Sequence, residues 1–383
     1  MNLDLSWILL GLPAAFILGW LASRLDLRQL RIENRRNPKA YFRGLNFLLN
    51  EQQDQAIDAF IEAVQQDPDT SELHFALGNL FRRRGEYERA VRVHEHLLSR
   101  GDLSETDRQR AQHALALDYL KAGLLDRAED ALVKLEGTPF QAQARLARLA
   151  NCERSREWPQ AAEIARQLED AEHGSFSSRL AHYLCEQAAA HLAHGEVTQA
   201  QTVLAQAIST APTAPRARIE LACLQMQQGQ AAQACVTLEE ALSACPAAVP
   251  LIAAPLTQAA VTSGRTVSVL ARLQEIYEQT PSLDVLEALV TLQAAAGTTS
   301  TRDWYVHHLE REPSLVAAAK WIAGEKLEHE QFHPQVQRAL DHAVKPLTRY
   351  RCAACGFEAK QHFWQCPGCQ TWDSYPARRV EEL

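Results

Sequence analysis

A pattern of small and large residues recurs along this chain at a spacing of about 34 residues, and a recurrence of that length admits few folds. Gly44, Ala56, Phe60, Ala63 and Pro68 are matched further on by Gly78, Ala90, His94 and Leu97. Small residues let two antiparallel helices touch closely, large ones fill the remaining gap, and Pro68 stops the second helix before the next unit. Leu117-Asp-Tyr119 and Gly123-Leu-Leu-Asp-Arg-Ala128, with Leu132 and Leu135, make a third unit. Glu157-Trp-Pro-Gln-Ala161, Ala165 and Leu168 make a fourth. Gly195 to Ala200 with Leu204, Ala207 and Pro212 make a fifth, and Gly229 to Ala234 with Leu238, Ala241 and Pro246 a sixth. Gly264 to Val269, Leu273, Ile276 and Pro281 form a degenerate seventh; Glu287 to Gly297 and Arg302 to Arg311 stay helical in pattern while the repeat fades. One unit cannot bury its apolar face alone, so neighbours must stack. The expectation is an all-α solenoid, and 16 Gly and 16 Pro in 383 residues rich in Ala, Leu, Gln, Glu and Arg agree with it.

The unit length, and stretches such as Leu77-Gly78-Asn-Leu-Phe81 and Arg84-Gly85-Glu-Tyr-Glu-Arg-Ala90, resemble the tetratricopeptide repeat. That resemblance implies a concave face made by the first helix of each pair, able to take an extended peptide or a partner helix. Phe75, Asn79, Arg82 and Arg83, with His113 and Lys121 in the next unit, are expected on or near it. No nucleophile stands with a base, so the middle region reads as a binder and the chain as a non-enzyme. A net charge of -8 argues against a nucleic-acid binder.

Chemistry concentrates at the end of the chain. Cys352-Ala-Ala-Cys355 and Cys366-Pro-Gly-Cys369 are two C-x-x-C pairs ten residues apart, and each lets two thiolates converge on one ion from a tight turn. Two disulfides or a redox pair are the alternatives, but no thioredoxin-like sequence surrounds either pair. Four thiolates suit zinc or iron. Gly356 and Gly368 are expected to supply positive φ to the turns, and Phe357 to Trp364 a small hairpin between them. His362 reads as a strand residue because four thiolates already fill the site. Tyr350, Phe363, Trp364 and Trp372 exceed what so small a module needs, which favours docking onto the repeats. The other cysteines, Cys152, Cys185, Cys223, Cys235 and Cys245, are scattered among Ala and Leu and read as core thiols in a reducing compartment.

The N-terminus differs from all of this. Leu5 to Ala22 carries no charge and is just long enough to cross a bilayer, with Trp7 and Trp20 near its ends. A secretory signal is disfavoured because Met1-Asn-Leu-Asp4 has no Lys or Arg. Arg24, Arg28, Arg31, Arg35, Arg36, Lys39 and Arg43 follow, so an uncleaved anchor would leave the rest of the chain in the cytoplasm. One stretch, His329-Glu-Gln-Phe-His333, matches the zinc-protease pattern H-E-x-x-H. Pro334 is expected to end that helix at His333, the surroundings are charged, and no third ligand stands at a recognisable spacing, so protease activity is not expected.

Anchor, repeats and four-cysteine ribbon in this order resemble the lipopolysaccharide assembly protein B family. The resemblance is strongest at Tyr41-Phe-Arg-Gly-Leu-Asn-Phe-Leu-Leu-Asn50, Leu77 to Gly85 and Tyr350-Arg-Cys-Ala-Ala-Cys-Gly-Phe357. It implies four parts: an anchor (1–23), a basic juxtamembrane segment (24–36), a repeat solenoid (37–345) and a rubredoxin-like ribbon (346–383). It also implies one Fe or Zn ion on Cys352, Cys355, Cys366 and Cys369. Its members are inner-membrane adaptors that restrain lipopolysaccharide synthesis, promoting breakdown of the UDP-acyl-N-acetylglucosamine deacetylase by a membrane ATP-dependent protease. They also gather lipopolysaccharide enzymes at the membrane.

Overall fold

The computed structural model describes Trp20 and residues 39–66, 70–171, 174–297, 303–324 and 333–383. The anchor (apart from an exposed Trp20) and the basic segment up to residue 38 lie outside the described residues, as does Pro68. Among the described residues no single helix is long and apolar enough to cross a membrane. The chain divides into two compact units, residues 1–155 and 156–383.

The first unit contains α1 (Lys39–Leu49), α2 (Gln53–Gln66), α3 (Ser71–Arg84), α4 (Tyr87–Ser99), α5 (Glu105–Ala122), α6 (Leu125–Val133) and α7 (Gln141–Ser155). Each helix packs on the next, and α3 also touches α5, as α5 touches α7. The second unit begins with α8 (Trp158–Asp170), α9 (Ser177–Ala193), α10 (Val197–Thr210), α11 (Arg216–Gln227) and α12 (Ala231–Ala244). It continues with α13 (Val249–Ser263), α14 (Thr266–Gln279), α15 (Leu283–Ala295), α16 (Asp303–Arg311), α17 (Leu315–Ala323) and α18 (His333–Val344). There the first helices α9, α11, α13 and α15 stack in succession, as in a tetratricopeptide solenoid.

The repeat is visible as burial. In the seven pairs whose second helices are α2, α4, α6, α8, α10, α12 and α14, the fourth residue of that helix is Ala56, Ala90, Ala128, Ala161, Ala200, Ala234 or Val269, and none of them is exposed to solvent. Four residues later come Phe60, His94, Leu132, Ala165, Leu204, Leu238 and Leu273, all but fully buried. Each of these seven helices is entered through a left-handed residue two positions before it. Glycine supplies that conformation at Gly85, whose turn is closed by its own amide on Arg82 O and by the Glu86 amide on Phe81 O. Glu51 (φ 58°) and Arg156 (φ 61°) hold the same place without being glycine.

His94 is the polar exception among these core positions. A Cβ on Gly78 would lie 2.5 Å from its ring, so the missing side chain makes the space the imidazole fills; Gly44 faces Phe60 in the same way one repeat earlier. His94 Nδ1 lies 2.5 Å from Asp118, itself wholly buried, and its Nε2 is buried with no hydrogen-bond partner. Arg82 completes the group, donating to Asp118 and Ala114 O, with its other nitrogen on Asn79.

Four expectations change here. Phe75 is buried, with the Arg110 guanidinium 4.1 Å over its ring, so it is core rather than contact surface. Arg82 and Asn79 brace α3 against α5, while Arg83 and Lys121 are exposed and His113 stacks on Phe140. Cys223 is exposed, unlike the buried Cys152, Cys185, Cys235 and Cys245. Pro334 starts a helix instead of ending one: α18 begins at His333, where a proline in the first turn gives up no hydrogen bond. His329 and Glu330 lie outside the described residues.

Candidate metal centre and its seat on the repeats

The ribbon follows α18. Strand β1 (Tyr350–Arg351) pairs antiparallel with β2 (Glu358–Ala359), and Cys352 to Gly356 form the turn between them. A second turn, Cys366 to Gln370, is closed by an isolated bridge between Gln365 and Trp372. The two turns match: Cys352 N donates to Phe357 O and Gly356 N to Cys352 O, as Cys366 N donates to Thr371 O and Gln370 N to Cys366 O. Each therefore puts a left-handed residue directly after its second cysteine, Gly356 (φ 78°) and Gln370 (φ 60°). Gly368 does not supply positive φ. A Cβ there would meet Phe357 and the Cys355 sulfur at 3.5 and 3.6 Å, ordinary contact distances, so neither the backbone nor the packing demands glycine. The expected hairpin between the pairs is likewise replaced, since pairing runs across each cysteine turn and residues 360–364 link one turn to the other.

All four sulfurs lie within 4.8 Å of one another. Cys352 and Cys369 Sγ are 3.8 Å apart, and Cys355 and Cys366 Sγ 3.7 Å. Four thiolates at about 2.3 Å from one tetrahedral ion stand about 3.8 Å apart, so the donor set fits a single zinc or iron ion. Cys352 and Cys366 are buried, and Cys355 and Cys369 face solvent. Burial opposes ionisation of Cys352, but the Ser374 hydroxyl at 3.3 Å and the amides of Cys355 and Ala354 bring the thiol down to about 6. The Thr371 hydroxyl, 3.3 Å from Cys369 Sγ, lowers that thiol as well. Both favour the thiolate that a metal needs. His362 stays outside the cluster, its Nε2 3.1 Å from Tyr375 O.

The ribbon is seated on the repeats of the second unit. The buried Trp372 ring stacks on His182 of α9 at 4.7 Å and meets Trp158 and Tyr183 edge-on. Beside it the Asp373 carboxylate accepts from Ser178 Oγ and His182 Nε2, both at 2.8 Å. Arg216, which can only donate, lies 3.5 Å from His182 Nδ1 and is held by Glu186 and Glu220. His182 therefore accepts at Nδ1 and donates its Nε2 proton to Asp373. Although burial works against it, these hydrogen bonds hold the Asp373 carboxyl below the usual carboxylate range.

A second seat lies at the other end. Arg379 forks onto Asp284 at the start of α15, at 2.6 to 3.2 Å, and lies 4.5 Å over the Tyr350 ring. The last residues then cap two helices they do not belong to. Glu382 accepts from Leu283 N at α15, and Glu381 from Ser314 Oγ, Leu315 N and Val316 N at α17. Sequence reasoning named the four cysteines and the aromatic surplus but missed Asp373, Arg379 and the two terminal glutamates. Nothing in their local sequence marks them, because their partners lie 65 to 195 residues away.

Comparison with known proteins agrees with this anatomy. The rubredoxin metal binding domain family matches residues 350–375, and tetratricopeptide repeat families match residues 43–93 and 191–259. Lipopolysaccharide assembly protein B of Escherichia coli K12 is 30% identical over the full length of both chains. This chain belongs to the lipopolysaccharide assembly protein B family. The Haemophilus influenzae member of the family is 28% identical, with 97% of each chain covered. Solved repeat structures are more distant: the C-terminal part of a tetratricopeptide-repeat protein from Cytophaga hutchinsonii is 12% identical, covers 69% of this chain and 98% of its own, and superposes with a TM-score of 0.40.

Proposed function

We propose that this protein is an inner-membrane adaptor that restrains lipopolysaccharide synthesis. It promotes turnover of the UDP-acyl-N-acetylglucosamine deacetylase by a membrane ATP-dependent protease and gathers other lipopolysaccharide enzymes at the membrane. The observation that carries this reading is the end-to-end match to relatives named lipopolysaccharide assembly protein B, which takes in the repeats and the ribbon together. Tetratricopeptide repeats are protein-binding surfaces, which suits an adaptor without a reaction of its own. Residues 5–22 serve as a single anchor, and the arginines after them place the bulk of the chain on the cytoplasmic side. The one ion, iron or zinc, acts structurally: four thiolates close the site and leave no position for a substrate.

Depleting the protein while following the deacetylase by pulse-chase tests this directly. Its half-life should lengthen several-fold, and an unchanged half-life would overturn the proposal.

A further inference from the structure

Helix α1 carries apolar residues on two sides. Ala40 and Gly44 are buried against the rest of the first unit, and Tyr41, Phe47 and Leu48 pack partly into the same core. Phe42 and Leu49, on the other side, are 56% and 84% exposed. Positions 42 and 49 stand two turns apart on one helical stripe, with the exposed Asn46 beside them. The helix is amphipathic, and two large apolar side chains nonetheless stand on its uncovered side, rimmed by polar residues, as at interaction surfaces. Exposed basic residues, Lys39 and Arg43, flank the stripe, and Arg43 also reaches Glu62 at 3.1 Å.

We propose that this face of α1 lies on the anionic lipid surface of the membrane that holds the anchor. The inference rests on residues 5–22 being an anchor, and adds a second membrane contact to it. Three observations select lipid as the occupant. Residues 23–38, the chain between the anchor and α1, reach roughly 60 Å at full stretch, so the face is always near the bilayer and meets it as an intramolecular partner. That chain is basic, with Arg24, Arg28, Arg31, Arg35 and Arg36, and anionic head groups attract such a run. An aromatic and a leucine beside lysine and arginine are also what an in-plane interfacial helix presents.

The full-length chain carrying Phe42→p-benzoylphenylalanine, reconstituted in phosphatidylethanolamine–phosphatidylglycerol vesicles and irradiated, tests this. A lipid adduct on the peptide containing position 42 is expected, several-fold above that from the same probe at Val267, which is 75% exposed in the other unit. The yield should fall several-fold in neutral phosphatidylcholine vesicles; an equal yield there overturns the anionic surface. Crosslinks to a second copy or to another protein in native membranes, in place of lipid, overturn the proposal. A chain that sediments with vesicles yet gives no more adduct than the Val267 control overturns it while leaving the anchor standing. Failure to sediment at all overturns both.

Discussion

His94 occupies a place that Phe60, Leu132, Leu204, Leu238 and Leu273 fill in other repeats, and it is tolerated there because two neighbours were changed to suit it. Gly78 clears room for the ring, and Asp118 gives its Nδ1 a partner. Gly78→Ala puts a methyl into the imidazole and should lower stability by about 1–3 kcal/mol, as overpacking of a tight core does; urea denaturation of the full chain measures it. Asp373 is a second residue set by its neighbours. Its carboxyl is depressed in the folded state, so the stability it contributes is complete above the ordinary value of 3.8 and is lost as pH falls below that through the folded value. The gap in melting temperature between wild type and Asp373→Asn should therefore stay constant from neutral pH to about 5 and close only below, with metal content followed in the same samples. Both residues were hard to see in the sequence. His94 appeared as a repeat position without its compensation, and Phe75 was placed on a surface because its spacing cannot tell which side of a first helix the next repeat covers.

Individual helices were legible because each second helix carries the same buried positions, and a recurrence of small and large residues records those directly. Their entries were less so: glycine marks most of the left-handed turns, but Glu51 and Arg156 do the same work unannounced. In the ribbon, Gly368 drew attention as a turn glycine while Gln370 carried the strained φ. A backbone conformation can be held by the hydrogen bonds around it as well as by residue type. The terminal tail behaves as an element in its own right. Glu381→Ala removes the acceptor of the Leu315 and Val316 amides while leaving the Ser314 cap on Ala317, and should cost about 1 kcal/mol; the amides of Leu315 and Val316 should exchange several-fold faster with solvent deuterium while those of α10 do not change. The ribbon depends on its ion in the same local way. Structural thiolate sites contribute on the order of 10 kcal/mol to small modules, so Cys352→Ser should lose the single metal equivalent and render residues 346–383 protease-sensitive. Full metal retention would contradict the four-thiolate site.

At the scale of the whole molecule, a repeat array ended by a four-cysteine ribbon was readable because each part is encoded within its own stretch. How the ribbon sits was not, since Trp372 meets α8 and α9 about 190 to 214 residues earlier in the chain, and Arg379 meets α15 almost 100 residues earlier. Aromatic excess announced that something would be covered without saying by what. Trp372 and Asp373, which grip α9, stand three and four positions after Cys369, directly after the turn that the ion closes. Holding the ion and holding α9 thus fall to adjacent residues of one short stretch, and a change that opens the turn should loosen this seat as well. Iron and zinc, which impose the same tetrahedron, should be interchangeable to everything beyond the loop: what the repeats sense is whether the turn is shut, and not which element shut it.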